Sequence, residues 1–372
     1  MPRALILTAS YGSGHNTAAG SLATALEREG VSTLIVDHFR DLVHPLFERA
    51  SRGLYYRIIR HAPLVWGLAY QVADRMASDS AATFGVTRLG AERLLRLLAT
   101  QRPDVVLTVH PTPAVVMSLL VHEGHRVPPH TTVVTDFLAH SQWIAPNIDR
   151  YCVAADEVRN EYIARGIPPE RVIVTGVPLR PEFEDTVDAN AARLAFGLST
   201  SKPVVLGMAG SHGTFGQLPD IARSLLASSR PLQGLLITGS DEPLARRLER
   251  LTAGTSVRTV GHVKDIRRLM AAADLIVTKA GGMTIAEATA AELPVLSYGS
   301  LPGQERRNEL FASRAGISLI ARSRADLGHL LDRALTQPQL LERIRERMHA
   351  LKRPDASRRI VDVILGRDRA LV

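Results

Sequence analysis

Short β-branched runs bounded by Gly, Pro or Asp recur along this chain, and longer stretches with helical spacing of apolar residues separate them. Strands that alternate with helices build parallel sheets, because a parallel connection must cross back over the sheet. Six such runs fill the first half: Ala4–Thr8, Thr33–Asp37, Asp104–His110, Thr131–Thr135, Tyr151–Ala154 and Val172–Thr175. A Pro-punctuated segment, Gly176 to Pro181, breaks the pattern and reads as a linker. The pattern restarts with Pro203–Met208, Gly234–Thr238, Val257–Val260, Leu275–Thr278, Val295–Ser297 and Ile317–Ile320. The spacing predicts an α/β chain of two Rossmann-like, doubly wound domains, residues 1–177 and 178–372, facing each other across a cleft. A length of 372 residues agrees, since single cores stop growing beyond ~250–300 residues.

One stretch, residues 41–101, has no strand signal and predicts a helical insert in the first domain. It interleaves Tyr55, Tyr56 and Trp66 with Arg52, Arg57 and Arg60. Basic residues and interfacial aromatics on one amphipathic segment suit a membrane surface; the competing reading is an ordinary insert that packs its aromatics inward. No window approaches the ~20 apolar residues of a spanning helix, and the first residues read as a strand, not a signal peptide.

The net charge of +8 favours anionic partners. Nucleic acid is excluded as the main one, because the basic residues are scattered among carboxylates and aromatics are only 5%, which leaves little for base stacking. The lone Cys152 leaves no disulfide framework and fits a reducing compartment.

In doubly wound sheets ligands bind beyond the C-terminal ends of strands, so the loops that follow strands carry the chemistry. The first strand runs into Ala9–Ser–Tyr–Gly12–Ser–Gly14–His15–Asn16 and then a helix. Gly12 and Gly14 let backbone amides approach an oxygen-rich ligand. A dinucleotide fingerprint is incomplete, because Thr17 stands at the third glycine position, although Asp37 sits where a ribose-binding acid belongs. His15, an imidazole on a glycine-rich turn, is instead a candidate general base, set against a plain helix-capping role. His110, in His–Pro–Thr–Pro, and Asp136, in Thr–Asp–Phe, follow the next strands and are candidates to hold or assist an acceptor hydroxyl.

The second half carries two more glycine turns. Gly210–Ser211–His212–Gly213 suits amide contact with a phosphate. In Lys279–Ala–Gly281–Gly282–Met283–Thr284–Ile–Ala–Glu287 a helix opens on paired glycines, with a carboxylate inside it to meet ribose hydroxyls. Gln304 and Glu305, after Leu–Pro–Gly, suit a sugar.

From YGSGHNTAA through HPTP, TDFLAHSQW and TGVPLRPEF to KAGGMTIAEATAAELPVLSYGSLPGQERRN, nearly the whole chain resembles the bacterial processive diacylglycerol glucosyltransferases and the plastid monogalactosyldiacylglycerol synthases. The resemblance implies a GT-B fold and an inverting, metal-independent transfer of a hexose from a UDP-sugar to diacylglycerol or a glycosyl-diacylglycerol. It implies UDP phosphates at Gly210–Gly213 and Gly282–Thr284, uracil at Val263, ribose at Glu287, hexose at Gln304 and Glu305, and His15 as base. Ala280 and Ser300–Leu301 depart from commoner residues of the family. The expected partners are a UDP-hexose, the lipid acceptor and an anionic membrane surface on the inner face of the cell membrane, with no cofactor. Two alternatives are a GlcNAc transferase acting on the peptidoglycan lipid intermediate and a UDP-sugar epimerase of the same fold.

Overall fold

The computed structural model describes residues 1–75, 88–208 and 217–367. It divides into two compact units: residues 1–181 with 353–372, and residues 182–352.

The first unit is a six-stranded sheet of β1 (Arg3–Thr8), β2 (Ser32–Asp37), β3 (Val105–Thr108), β4 (His130–Val133), β5 (Arg150–Val153) and β6 (Val172–Val174). Their order is β2-β1-β3-β4-β5-β6, every pair parallel. The strands are buried and apolar because helices cover the sheet. Leu5, Leu7, Val36 and Val106 pack with Leu94, Leu98, Met117 and Leu120 from the helices Ala91–Gln101 and Pro111–His122.

The second unit repeats the plan with β7 (Val204–Met208), β8 (Gln233–Ile237), β9 (Val257–Val260), β10 (Leu275–Thr278), β11 (Val295–Tyr298) and β12 (Ser318–Ala321). The order is β12-β11-β10-β7-β8-β9, again parallel. In both sheets the winding direction reverses once, between β1 and β3 and between β7 and β10. Adjacent loops part there and leave a crevice, which is where ligands of doubly wound sheets sit. The glycine turns read from the sequence follow β1, β7 and β10, all strands at a reversal.

The tail differs from the expected range. Its last helix, Ala356–Ile364, packs on the helix Ser13–Arg28 of the first unit. Ser357 Oγ donates to the Leu179 carbonyl at 2.7 Å, and Arg150 donates to the Val363 carbonyl at 2.6 Å. Gly176 permits this return: its φ is +92°, and a Cβ there would stand 2.7 Å from Arg353 Cβ and 2.9 Å from Ala356 Cβ. Buried Ile360, Val361 and Val363 form the apolar face that holds the helix.

Within 41–75 the expected helices are Pro45–His61 and Pro63–Arg75. Tyr55, Tyr56 and Trp66 are half-buried, each packed on other side chains of the unit. Tyr55 packs edge-on against Tyr11 and Trp66, with ring centroids 5.7 and 5.0 Å apart. Tyr56 donates to the Tyr11 carbonyl at 3.4 Å. Arg52 is likewise engaged, pairing with the buried Glu48 at 3.1 Å. Of the six residues assigned to a membrane surface, only Arg57 and Arg60 are exposed. The exposed apolar side chains are different ones: Leu46, Phe47, Leu54, Leu64, Val65, Leu68 and Val72. Large aromatic rings bury more area than Leu or Val, which favours packing Tyr55, Tyr56 and Trp66 against the unit. No helix among the described residues is long and apolar enough to cross a membrane.

Candidate active site

The turn after β1 is held by side chains on every side. Ser10 Oγ donates to Asp37 Oδ2 at 2.5 Å and accepts from Asn16 Nδ2 at 3.0 Å, while Thr8 donates to Asn16 Oδ1 at 2.9 Å. The second oxygen of Asp37 caps the following turn through the Arg40 amide at 2.9 Å. Asp37 is 1% exposed with both oxygens engaged, so it anchors the turn and offers nothing to a ribose. The helix Ser13–Arg28 begins at Gly12 without a side-chain cap.

His15 projects from the first turn of that helix. Its Nδ1 lies 2.7 Å from the Val109 carbonyl. A carbonyl only accepts, so Nδ1 carries the proton and Nε2 keeps its lone pair. Thr135 Oγ1 lies 3.3 Å from the same Nδ1. The ladder of β3 ends at Thr108, which frees the Val109 carbonyl for the ring. Burial pushes the His15 pKa below 6.5; the Asp136 carboxylate and the Val109 hydrogen bond oppose that shift without cancelling it. Asp136 is itself 1% exposed.

His110 has the opposite tautomer. It caps the helix Pro111–His122, with Nδ1 accepting from the Thr112 amide at 3.2 Å, so in the neutral ring the proton sits on Nε2. Its ring meets His15 edge-on at 4.8 Å. Burial first, then the neighbouring His15 and His38, holds its pKa well below 6.5. The pair thus presents one acceptor nitrogen and one N–H donor. Two residues passed over in the sequence complete the surroundings. Trp143 is buried with its ring 6.2 Å from His15, and Tyr11 is tied to Ser51 at 2.6 Å. Both stand inside the conspicuous motif blocks, but neither carries a titratable group that would single it out near neutral pH.

In the second unit the helix Gly282–Ala290 starts at Gly281 with no side-chain cap. Backbone amides at an uncapped helix start, with the positive end of the helix dipole, suit an anion. Glu287 is 7% exposed, so it is no solvated surface charge. Val263 is half-buried beyond β9, after the exposed Gly261 and His262. Gln304 opens the helix Gln304–Arg314 after Gly303, whose φ is +100°. Glu305 is held at both ends of its carboxylate: one oxygen pairs with Lys279 and the other accepts from the Leu301 amide at 3.0 Å. Gly210, Ser211, His212 and Gly213 lie outside the described residues. Among the described residues no group of three or more His, Cys, Asp or Glu is placed to hold a metal ion.

The profile of the monogalactosyldiacylglycerol (MGDG) synthase family matches residues 15–179, from His15 through the tail-binding segment. That of the glycosyl transferases group 1 matches residues 217–327, which include both donor-side turns after β10 and β11. The processive diacylglycerol beta-glucosyltransferase of Bacillus cytotoxicus is 32% identical over 371 residues, 99% of this chain and 95% of that one. The enzyme of the same name from Bacillus cereus strain AH187 is 30% identical over 98% of this chain and 94% of its own. The chain belongs to the diacylglycerol glucosyltransferase family. It is a glycosyltransferase, and its GT-B fold agrees with solved structures. Acinetobacter baumannii MurG superposes with a TM-score of 0.68 at 15% identity, covering 98% of this chain and 100% of that one. The S. aureus MnaA–UDP complex gives 0.66 at 17%, covering 98% and 96%.

Proposed function

We propose that this glycosyltransferase moves a hexose from a UDP-sugar to diacylglycerol, or to a glycosyl-diacylglycerol, with inversion at the anomeric carbon. The observation that carries the reading is the unprotonated Nε2 of His15 in a chain related end to end to diacylglycerol glucosyltransferases. The relatives' name favours glucose as the sugar. In the proposed step the acceptor hydroxyl oxygen attacks C1 from the face opposite UDP while its proton passes to Nε2. The C1–O bond breaks, and its electron pair leaves on the β-phosphate of UDP. Val109 and Asp136 stabilise the imidazolium that forms, and His110 Nε2–H is available to an oxygen. The uncapped helix start at Gly281–Gly282 offsets charge on the leaving diphosphate, a stabilisation that needs no metal. Glu287 takes the ribose, Val263 the uracil and Gln304 the hexose.

The acceptor is a membrane lipid, and the helices Pro45–Arg75 supply a surface for it. Exposed Leu64, Val65, Leu68 and Val72 lie in one helix, with Arg57 and Arg60 on its neighbour. An apolar strip with cations beside it suits peripheral binding to an anionic, inner-face bilayer.

The test is direct. Purified protein is given each UDP-hexose with diacylglycerol in phosphatidylglycerol vesicles, with and without chelator, and lipids are read by mass spectrometry. The reading expects hexosyl-diacylglycerol at a rate insensitive to chelator. Conversion of UDP-GlcNAc to its 2-epimer with no lipid product would instead make the protein an epimerase.

A further inference from the structure

Two turns on the donor side are joined by side chains far apart in sequence. Lys279 is the first residue beyond β10, and its ammonium pairs with Glu305 on the helix that follows β11. The other oxygen of Glu305 folds back to accept from the Leu301 amide at 3.0 Å. Alongside, the Ala280 amide donates to Ser300 Oγ at 3.1 Å, and Ser300 Oγ lies 3.2 Å from Ser297 Oγ. The side chains of the ion pair are only 18% and 14% exposed. Pairs this sheltered are screened far less than surface pairs.

The choice of lysine is informative. The chain has four lysines, at 202, 264, 279 and 352, among 45 basic residues; the rest are arginines. A guanidinium is built to take both oxygens of a carboxylate. An ammonium is a point charge that satisfies one oxygen and leaves the other for the Leu301 amide. Lysine at 279 therefore lets one carboxylate hold two turns at once. Gln304 stands in sequence between Leu301 and Glu305, the two residues so joined, directly after Gly303, whose φ is +100°.

We propose that Lys279 and Glu305 form a strap that sets which hexose the donor site accepts. Neither is a sugar ligand; they are positioning residues, and Gln304 is the side chain they position. This rests on the donor-site reading above. Cutting the strap loosens Gln304 and blurs discrimination between UDP-glucose and UDP-galactose, which differ only in the direction of one hydroxyl.

Lys279→Met, Glu305→Gln and the double variant are compared with wild type. The readouts are kcat/KM for both UDP-hexoses, UDP affinity by calorimetry, and thermal unfolding. Glu305→Gln keeps an acceptor for Leu301, so it guards against a folding defect in Lys279→Met. The expected result is a fall of about tenfold in the selectivity ratio for either single variant. The double variant should be no worse than either single one, with UDP affinity within about twofold of wild type. If Glu305→Gln changes selectivity and Lys279→Met does not, Glu305 touches the sugar and the strap is overturned. If Lys279→Met weakens UDP itself by about tenfold or more, the lysine is a phosphate ligand and the strap is equally overturned. Absence of turnover by wild type with every UDP-hexose is a different outcome: it removes the donor-site reading first, and this inference with it.

Discussion

The Nδ1–H of His15 donates to the Val109 carbonyl across 2.7 Å, and that bond decides which face of the imidazole does chemistry. With Nδ1 committed, Nε2 is the acceptor. Its pKa is already held below 6.5 by burial, so the ring is ready as a base at neutral pH. His15→Ala should therefore lower kcat by ~10²–10⁴ while UDP affinity stays nearly unchanged, because the residues proposed to bind the nucleotide belong to the other unit. A loss below tenfold in single-turnover transfer would move the base elsewhere.

Asp136 gives a prediction with a definite sign. Its charge raises the proton affinity of His15 against the larger effect of burial. Asp136→Asn removes that support, so the His15 pKa falls further. The acid limb of the kcat profile, where a protonated ring blocks turnover, should shift to lower pH. Maximal turnover should fall as well, because the imidazolium loses its counter-charge. A limb that stays in place or moves to higher pH would contradict the role given to Asp136.

Glu287 is buried beside the uncapped helix start. Charge-assisted hydrogen bonds to hydroxyls contribute ~1.5–3 kcal/mol each. Glu287→Ala should therefore weaken UDP by roughly ten- to a hundredfold in calorimetry, with turnover recovering at high donor. Unchanged UDP affinity would remove the ribose assignment.

The membrane prediction rests on which side chains are exposed. Arg57→Gln with Arg60→Gln should reduce sedimentation with phosphatidylglycerol vesicles, at about 1 kcal/mol per charge, and the wild-type attraction should fall with salt. Leu64→Ser with Leu68→Ser should reduce binding further and at all salt concentrations, because Leu64 is 81% exposed and Leu68 65%. Arg52→Gln should cost folding stability rather than vesicle binding, since it neutralises the partner of buried Glu48. Equal sedimentation of all variants would place the lipid contact elsewhere.

These relationships also mark where sequence stops being informative. The strands were legible because β-branched runs between Gly, Pro and Asp have few other folds, and the glycine turns because close backbone approach needs glycine. The destination of the last helix was not, since its partner Ser13–Arg28 is more than three hundred residues away and any amphipathic helix would look alike. The packing of Tyr55, Tyr56 and Trp66 was hidden for the same reason: composition names an interfacial aromatic but not the ring, such as Tyr11, that packs on it. The place of Glu305 after Leu–Pro–Gly does not reveal its engagement by Lys279, 26 positions back. The opposite tautomers of His15 and His110 depend on a carbonyl and an amide, groups every residue carries.

The most direct test of the account is the stereochemistry and origin of the product. Wild type and His15→Ala are given UDP-glucose and diacylglycerol in phosphatidylglycerol vesicles for a single turnover, and the anomeric proton coupling of the glycolipid is read by NMR. The account predicts a β-glucosyl-diacylglycerol from wild type and about a hundredfold or more less of it from the variant. An α-linked lipid, or free glucose with no lipid product, would contradict it.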